Sequence, residues 1–331
     1  MPTGILNPSK LSGPHCGPKR DLETVLPKGG MEDGQPSFTA IASAMLRAAH
    51  LFWDDPPKIF EDTLAFRFSG CESESALRAR LTQLDAQVAQ SSSPEFAVAL
   101  RRRITGQLVM RSRHVEEEVE RAVKLGLSQY VILGAGLDSF AYRRKDFANA
   151  LRVFEVDHPA TQAWKRTRLR EEGIQLPSNL SLVPVDFERH PLINSLRMGG
   201  YLVQAPGIFS WLGVTTYLTH DAIFGTLRAV AALAPGTEII FQYTLPKESL
   251  EGEARQMLQA VMASVSSRGE PPKSFFEPKD LAEQVRKIGF AEVSDLGPEE
   301  ALARYFSGRT DSLQPLGSEH LMCARVGPRS K

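Results

Sequence analysis

"YVILGAGLDSFAYRR" (residues 130–144) runs from an apolar stretch into Gly-Ala-Gly and then turns polar. The stretch predicts a fully buried strand that ends in a tight turn and enters a helix. Small residues at such a turn let backbone amides and a helix N-terminus come close to a ligand, although a tight turn inside a core would look the same.

Downstream, short apolar runs alternate with amphipathic helical patterns. "RVFEVD" (152–157), "SLVPVD" (181–186), "GIFSWLGVT" (207–215), "TEIIFQYTL" (237–245), "AEVSDL" (291–296) and "HLMCARV" (320–326) read as strands. Helices are expected at 158–173, at 220–236 and at 277–290. The second has Thr219 as its cap and Ile223, Leu227, Val230 and Leu233 on one face; the third has Pro278 near its start and Gly289 near its end. Near-continuous apolar strands separated by helices predict an α/β, doubly wound, mostly parallel seven-stranded sheet.

Upstream, a long helical pattern from about residue 95 stops at Gly126. Residues 37–94 form a weakly patterned N-terminal cap, in which Phe38, Ile41, Met45, Ala49 and Phe52 recur at helical spacing. Residues 1–36, rich in Pro, Gly and charge, are expected to be a disordered lead-in. The chain thus divides into a tail (1–36), a cap (37–94) and a ligand-binding α/β domain (95–331).

Of the 331 residues 42% are hydrophobic, enough for a large core, and 39 basic side chains balance 39 acidic ones. That balance disfavours a dedicated nucleic-acid binder. Cys16, Cys71 and Cys323 offer neither metal-ligand spacing nor a disulfide framework, so no metal is expected and a cytoplasmic location is. With no apolar run long enough to span a membrane, a soluble protein is expected, with no membrane partner.

In a doubly wound sheet, ligands sit beyond the carboxyl ends of the strands. Three successive strands end in Gly134-Ala135-Gly136, in Glu155 and Asp157, and in Asp186. The acids of the second strand lie about twenty residues past the glycines, where a carboxylate can meet ribose hydroxyls. Together these ends point to a nucleoside-type cofactor. A dinucleotide turn would carry a third glycine, but Ser139 stands there, and Asp138 would place an anion beside a pyrophosphate. The ammonium and sulfonium of S-adenosylmethionine suit such acids, and Asp186 could accept from an adenine amino group.

The segments "RSRHVEEEVERAVKLGLSQYVILGAGLDSFAYR" (111–143), "FEVDHPATQAWKRTRL" (154–169), "VPVDFE" (183–188) and "WLGVTTYLT" (211–219) resemble the leucine carboxyl methyltransferase family. The likeness is greatest to its bacterial branch and to polyketide carboxyl O-methyltransferases, and it extends from about residue 37 to the C-terminus. It implies a class I methyltransferase (Rossmann-like) fold with a helical cap over the active site. By motif, Gly134 and Gly136 would form the methionine loop, Asp157 the ribose clamp, Asp186 and Phe187 the adenine frame, and Arg111 the partner of the cofactor carboxylate. One departure stands out: Leu212 occupies the place of a family glutamate, so that acid is missing or supplied from elsewhere.

The expected activity is S-adenosylmethionine-dependent O-methylation of a small-molecule carboxylate or phenol. A nicotinamide-dependent oxidoreductase and a non-catalytic cofactor-binding scaffold are the alternatives. No catalytic residue is assigned, because an ionised carboxylate needs no base. Arg47, Arg67, Arg304 and Arg309 are candidates to hold a carboxylate, and His114 or His220 to deprotonate a phenol. Trp211 and Tyr217 are candidate pocket aromatics, with core packing the commoner role. His158 is expected to open a helix. The oligomeric state is left open.

Overall fold

The computed structural model describes residues 37–328, so the expected disordered lead-in lies outside the described residues. The chain begins with α1 (Phe38–Trp53), α2 (Ala65–Phe68), α3 (Glu74–Ala89) and α4 (Pro94–Lys124). Ser37, Ser73 and Ser93 each accept a backbone N–H at the start of α1, α3 and α4, the usual way to satisfy an orphan donor. Met45, Leu46 and Ala49 of α1, Leu77 and Leu81 of α3, and Leu108 of α4 share one apolar cluster. The sequence predicts only short helices and loops over 56–93. α3 is nevertheless sixteen residues long, and among its hydrophobic residues only Leu77 and Leu81 are buried, so it carries little periodic signal. Gly126, at φ +92°, ends α4 as expected.

Next come β1 (Gln129–Leu133), α5 (Phe140–Arg143), β2 (Arg152–Asp157), α6 (Pro159–Glu171), β3 (Leu180–Pro184), α7 (Leu192–Met198), β4 (Ile208–Trp211) and α8 (His220–Ala231). The chain closes with β5 (Glu238–Thr244), α9 (Gly252–Ser266), α10 (Pro278–Lys287), β6 (Phe290–Leu296), α11 (Pro298–Tyr305) and β7 (Glu319–Val326). The seven strands lie in the order β3-β2-β1-β4-β5-β7-β6. The first five are mutually parallel, and β7 runs antiparallel to both of its neighbours.

Alternation along β1 shows why the sheet is doubly covered. Tyr130 and Ile132 enter one core cluster and Val131 and Leu133 the other. The expected strands and the helix capped by Thr219 are present. α7, α9 and α11 were not read from the sequence. Strand order reverses between β1 and β4, which opens a crevice at their carboxyl ends.

The turn after β1 is tightly held. Gly134 N–H donates to Val156 O at 2.8 Å, with Gly134 at φ +66°. A Cβ there would stand 2.2 Å from Val214 Cγ2. Gly134→Ala is therefore expected to lower stability by about 2–4 kcal/mol, from the left-handed backbone and the overlap together. Urea unfolding of the ligand-free protein measures it; an unchanged midpoint would contradict it.

Candidate cofactor and acceptor site

A cavity of about 1130 Å³ opens at the carboxyl ends of β1 to β5 and continues between α1, α3, α4 and α9. Arg111, Gly134, Gly136, Asp157, Asp186 and Phe187 all line it, so the structure brings the six sequence-derived candidates to one place. Asp157, the last residue of β2, accepts the Gly136 N–H through Oδ2 and the His158 N–H, at 2.6 Å, through Oδ1. Burial pushes its carboxyl above the ordinary range, and those two donors oppose the rise. Asp186 lies two residues past β3 and accepts Glu188 N–H at 3.0 Å. The ring of Phe187 leans on Trp211, with centroids 5.6 Å apart.

Arg111 reaches the cavity from α4. It donates through Nη1 to Gln242 Oε1, which also accepts Gly213 N–H at 3.1 Å. Gln242 Nε2 donates to Glu319, whose other oxygen accepts from Thr244 Oγ1 at 3.0 Å. Burial lowers the Arg111 guanidinium to about 10, still charged at neutral pH, and its Nε has no partner among the described residues. Burial likewise raises the Glu319 carboxyl, countered by Gln242, Thr244 and Arg111. A guanidinium and a carboxyl group thus face one cavity, bridged by a glutamine that accepts from one and donates to the other.

Several expectations need correction. Glu155 is not in the cavity: it lies two residues before Asp157 on β2, about 7 Å back from the strand end. There it pairs with Lys165 of α6 at 2.6 Å, and both side chains are almost wholly buried. Of the four arginines, only Arg47 lines the cavity, and it is already bound to Asp62 and to Leu137 O, each at 2.8 Å. Arg67 pairs with Glu172, Arg304 with Glu117 and Arg309 with Asp311. His114 is bonded to the Tyr305 hydroxyl, and His220 stacks on Phe276 at 4.6 Å; neither borders the cavity. Tyr217 does border it, whereas Trp211 is core. His158 caps α6, accepting Ala160 N–H, as expected of a helix-opening residue.

Sequence reasoning missed Gln242, Glu319, Gln107 and the α9 wall. Leu212 lines the cavity without an acid, and Glu319 brings a carboxylate to the same cavity from β7. No local spacing signals this, because the residue arrives through an antiparallel strand inserted late in the chain.

A seven-stranded sheet with its penultimate strand reversed, and acids and glycines gathered at its switch point, defines a nucleoside-cofactor α/β enzyme of the class I methyltransferase type. Residues 40–231, well over half of the chain, match the family model for leucine carboxyl methyltransferases. The chain belongs to the leucine carboxyl methyltransferase family. A Bacillus subtilis (strain 168) protein, "Putative S-adenosyl-L-methionine-dependent methyltransferase YktD", is 29% identical over 306 residues, covering 89% of this chain and 99% of its own. A Frankia alni protein, "Putative S-adenosyl-L-methionine-dependent methyltransferase FRAAL3718", is 30% identical over 211 residues, covering 62% of this chain and 68% of its own. Among solved structures, a "putative methyltransferase from Thermobifida fusca YX" aligns with a TM-score of 0.49 and 17% identity, over 90% of this chain and 98% of its own.

The protein is therefore an S-adenosylmethionine-dependent methyltransferase, and the oxidoreductase alternative falls away. The cavity suits this cofactor on its own chemistry. Arg111 has an unpartnered buried donor for a carboxylate, Glu319 an acid for an ammonium, and Asp157 an acceptor for hydroxyls.

Proposed function

We propose that the enzyme methylates a carboxylate oxygen of a small apolar molecule. Supporting this is one cavity lined both by polar residues and by apolar ones of α3, α4 and α9, with no histidine on its described wall free to act as a base. Among the described lining residues the one histidine is His158, whose Nδ1 is engaged with Ala160 N–H. A carboxylate is ionised at neutral pH and needs no base, whereas a phenol would. The chemistry supplied by bound S-adenosylmethionine is a sulfonium methyl, which a carboxylate oxygen accepts as the carbon–sulfur bond breaks, with no proton to move. The protein's part is to bind and align donor and acceptor and to exclude water.

In this proposal Gly134 and Gly136 hold the methionine turn, Asp157 the ribose, and Asp186 with Phe187 the adenine. Arg111 takes the cofactor carboxylate and Glu319 its ammonium, the place left by Leu212. Arg111→Gln is expected to weaken S-adenosylhomocysteine binding about thirtyfold, the loss of roughly one charge-assisted contact. Calorimetric titration measures this, and an unchanged affinity would contradict the assignment.

The activity itself is tested by incubating the protein with S-adenosylmethionine and a panel of carboxylic acids and phenols. Methyl esters, detected by mass spectrometry, are expected. Methyl ethers alone would overturn the carboxylate assignment, and tight cofactor binding with no product from any acceptor would overturn it too. No described helix is long and apolar enough to cross a membrane. The unpaired thiols of Cys71 and Cys323 and the balanced charge support a cytoplasmic enzyme acting on a small molecule rather than on nucleic acid.

A further inference from the structure

The cavity exceeds the roughly 300–1000 Å³ of a site for one drug-sized ligand, which leaves room beside a bound cofactor. Its second arm is walled by Leu81 and Leu84 of α3, Ile104 of α4, and Leu258, Val261 and Met262 of α9. Two arginines of the cavity wall are already engaged, Arg101 with Asp85 at 2.9 Å and Arg268 with Gln87 at 2.6 Å. Where the arm meets the polar end stands Gln107, one turn of α4 (about 6 Å) before Arg111.

Gln107 is 3% exposed and lines the cavity, yet neither its Oε1 nor its Nε2 has a partner among the described residues. A buried amide left unpaired at both ends is unusual in a folded protein and costly to maintain. It offers one acceptor and two donors to whatever enters. Gln107 thus supplies what an apolar arm lacks, a polar fixed point that orients a ligand.

We propose that Gln107 and the apolar arm form the acceptor subsite, and that it takes an apolar carboxylic acid bearing a hydroxyl on the carbon β to the carboxyl group. This subsite rests on the carboxylate methyl transfer proposed above. The amide N–H donates to the carboxylate, and the amide oxygen accepts from the hydroxyl. An acid without the hydroxyl leaves Oε1 unsatisfied. Because Gln107 is neutral, the carboxylate is held without an ion pair and keeps its electron pairs available for attack. The body of the acid lies along the face of α4 from Leu100 to Gln107, a span of about 10 Å.

The test titrates the protein, saturated with S-adenosylhomocysteine, with decanoic acid and with β-hydroxydecanoic acid. The hydroxy acid is expected to bind about tenfold tighter to the wild-type enzyme, one buried hydrogen bond's worth. In Gln107→Leu that preference disappears, while S-adenosylhomocysteine affinity stays within about twofold of wild type. Val261→Trp, which fills the arm from α9, weakens both acids about tenfold or more and spares the cofactor. A preference that survives in Gln107→Leu, a wild-type enzyme that does not distinguish the acids, or failure of both to bind would overturn the subsite. Tight, Gln107-dependent binding with no methyl ester formed would instead uphold the subsite and overturn carboxylate transfer.

Discussion

Asp157→Ala is expected to raise the dissociation constant for S-adenosylhomocysteine at least about a hundredfold, with the melting temperature shifted by only a few degrees. A ribose presents two hydroxyls, and hydrogen bonds to a charged group contribute about 1.5–3 kcal/mol each, so their joint loss reaches two decades. The small effect on stability comes from opposing terms. Removing the carboxylate leaves the Gly136 and His158 N–H groups without their acceptor, but it also removes a charge that burial disfavours. Calorimetric titration beside a thermal melt separates the two effects. An unchanged dissociation constant in a folded variant would remove Asp157 from the ribose site.

Lys165→Met should lower stability increasingly as pH rises above neutral, because it strands a buried anion. Glu155 and Lys165 meet at 2.6 Å with side chains 1% and 2% exposed. Burial pushes the Glu155 carboxyl up from 4.5 to about 7, and Lys165 is what keeps it from rising further. The sign follows from linkage. A carboxyl whose folded value lies above its unfolded one favours folding while protonated, and that contribution is lost as pH rises through the folded value. Without Lys165 the folded value climbs, so the variant's deficit should be small near about pH 5 and reach about 1 kcal/mol near about pH 8, growing by up to about 1.4 kcal/mol with each further pH unit. Adding Glu155→Gln should recover most of the loss. Urea unfolding at both pH values checks this; an equal deficit at each would sink the account. Lys165 Nζ also donates to Asp138 O at 2.9 Å, so cofactor affinity should fall along with stability.

That buried pair shows where reading the sequence stops. Glu155 and Asp157 have the same parity on one strand and nearly the same spacing from the glycines, so local pattern makes them equivalent. Their difference is how far along the strand each sits. Asp157 stands at the edge facing the cavity, and Glu155 lies a step behind it, against α6. The candidate arginines fail for a similar reason. Their charge is visible in sequence, but each is consumed by an acid, as near in the chain as Asp311 is to Arg309 or as distant as Glu117 is from Arg304.

What the sequence by itself determined is the part carried by local pattern: the buried run ending in Gly134-Ala135-Gly136, the alternation of strands and helices, and the acids at the ends of β2 and β3. Those signals survive because strand burial, helix capping and positive backbone angles are decided within a few residues. Only the tertiary structure decided the rest of the site. Gln242 joins Arg111 to Glu319 because β7 inserts antiparallel beside β5, and Gln107 of α4 comes to line the same cavity as residues of α9. Such contacts join residues far apart in the chain, and no spacing encodes them. The stretch at 130–144 marks the proposed seat of the cofactor, and the packing around it shapes the proposed place for the acceptor.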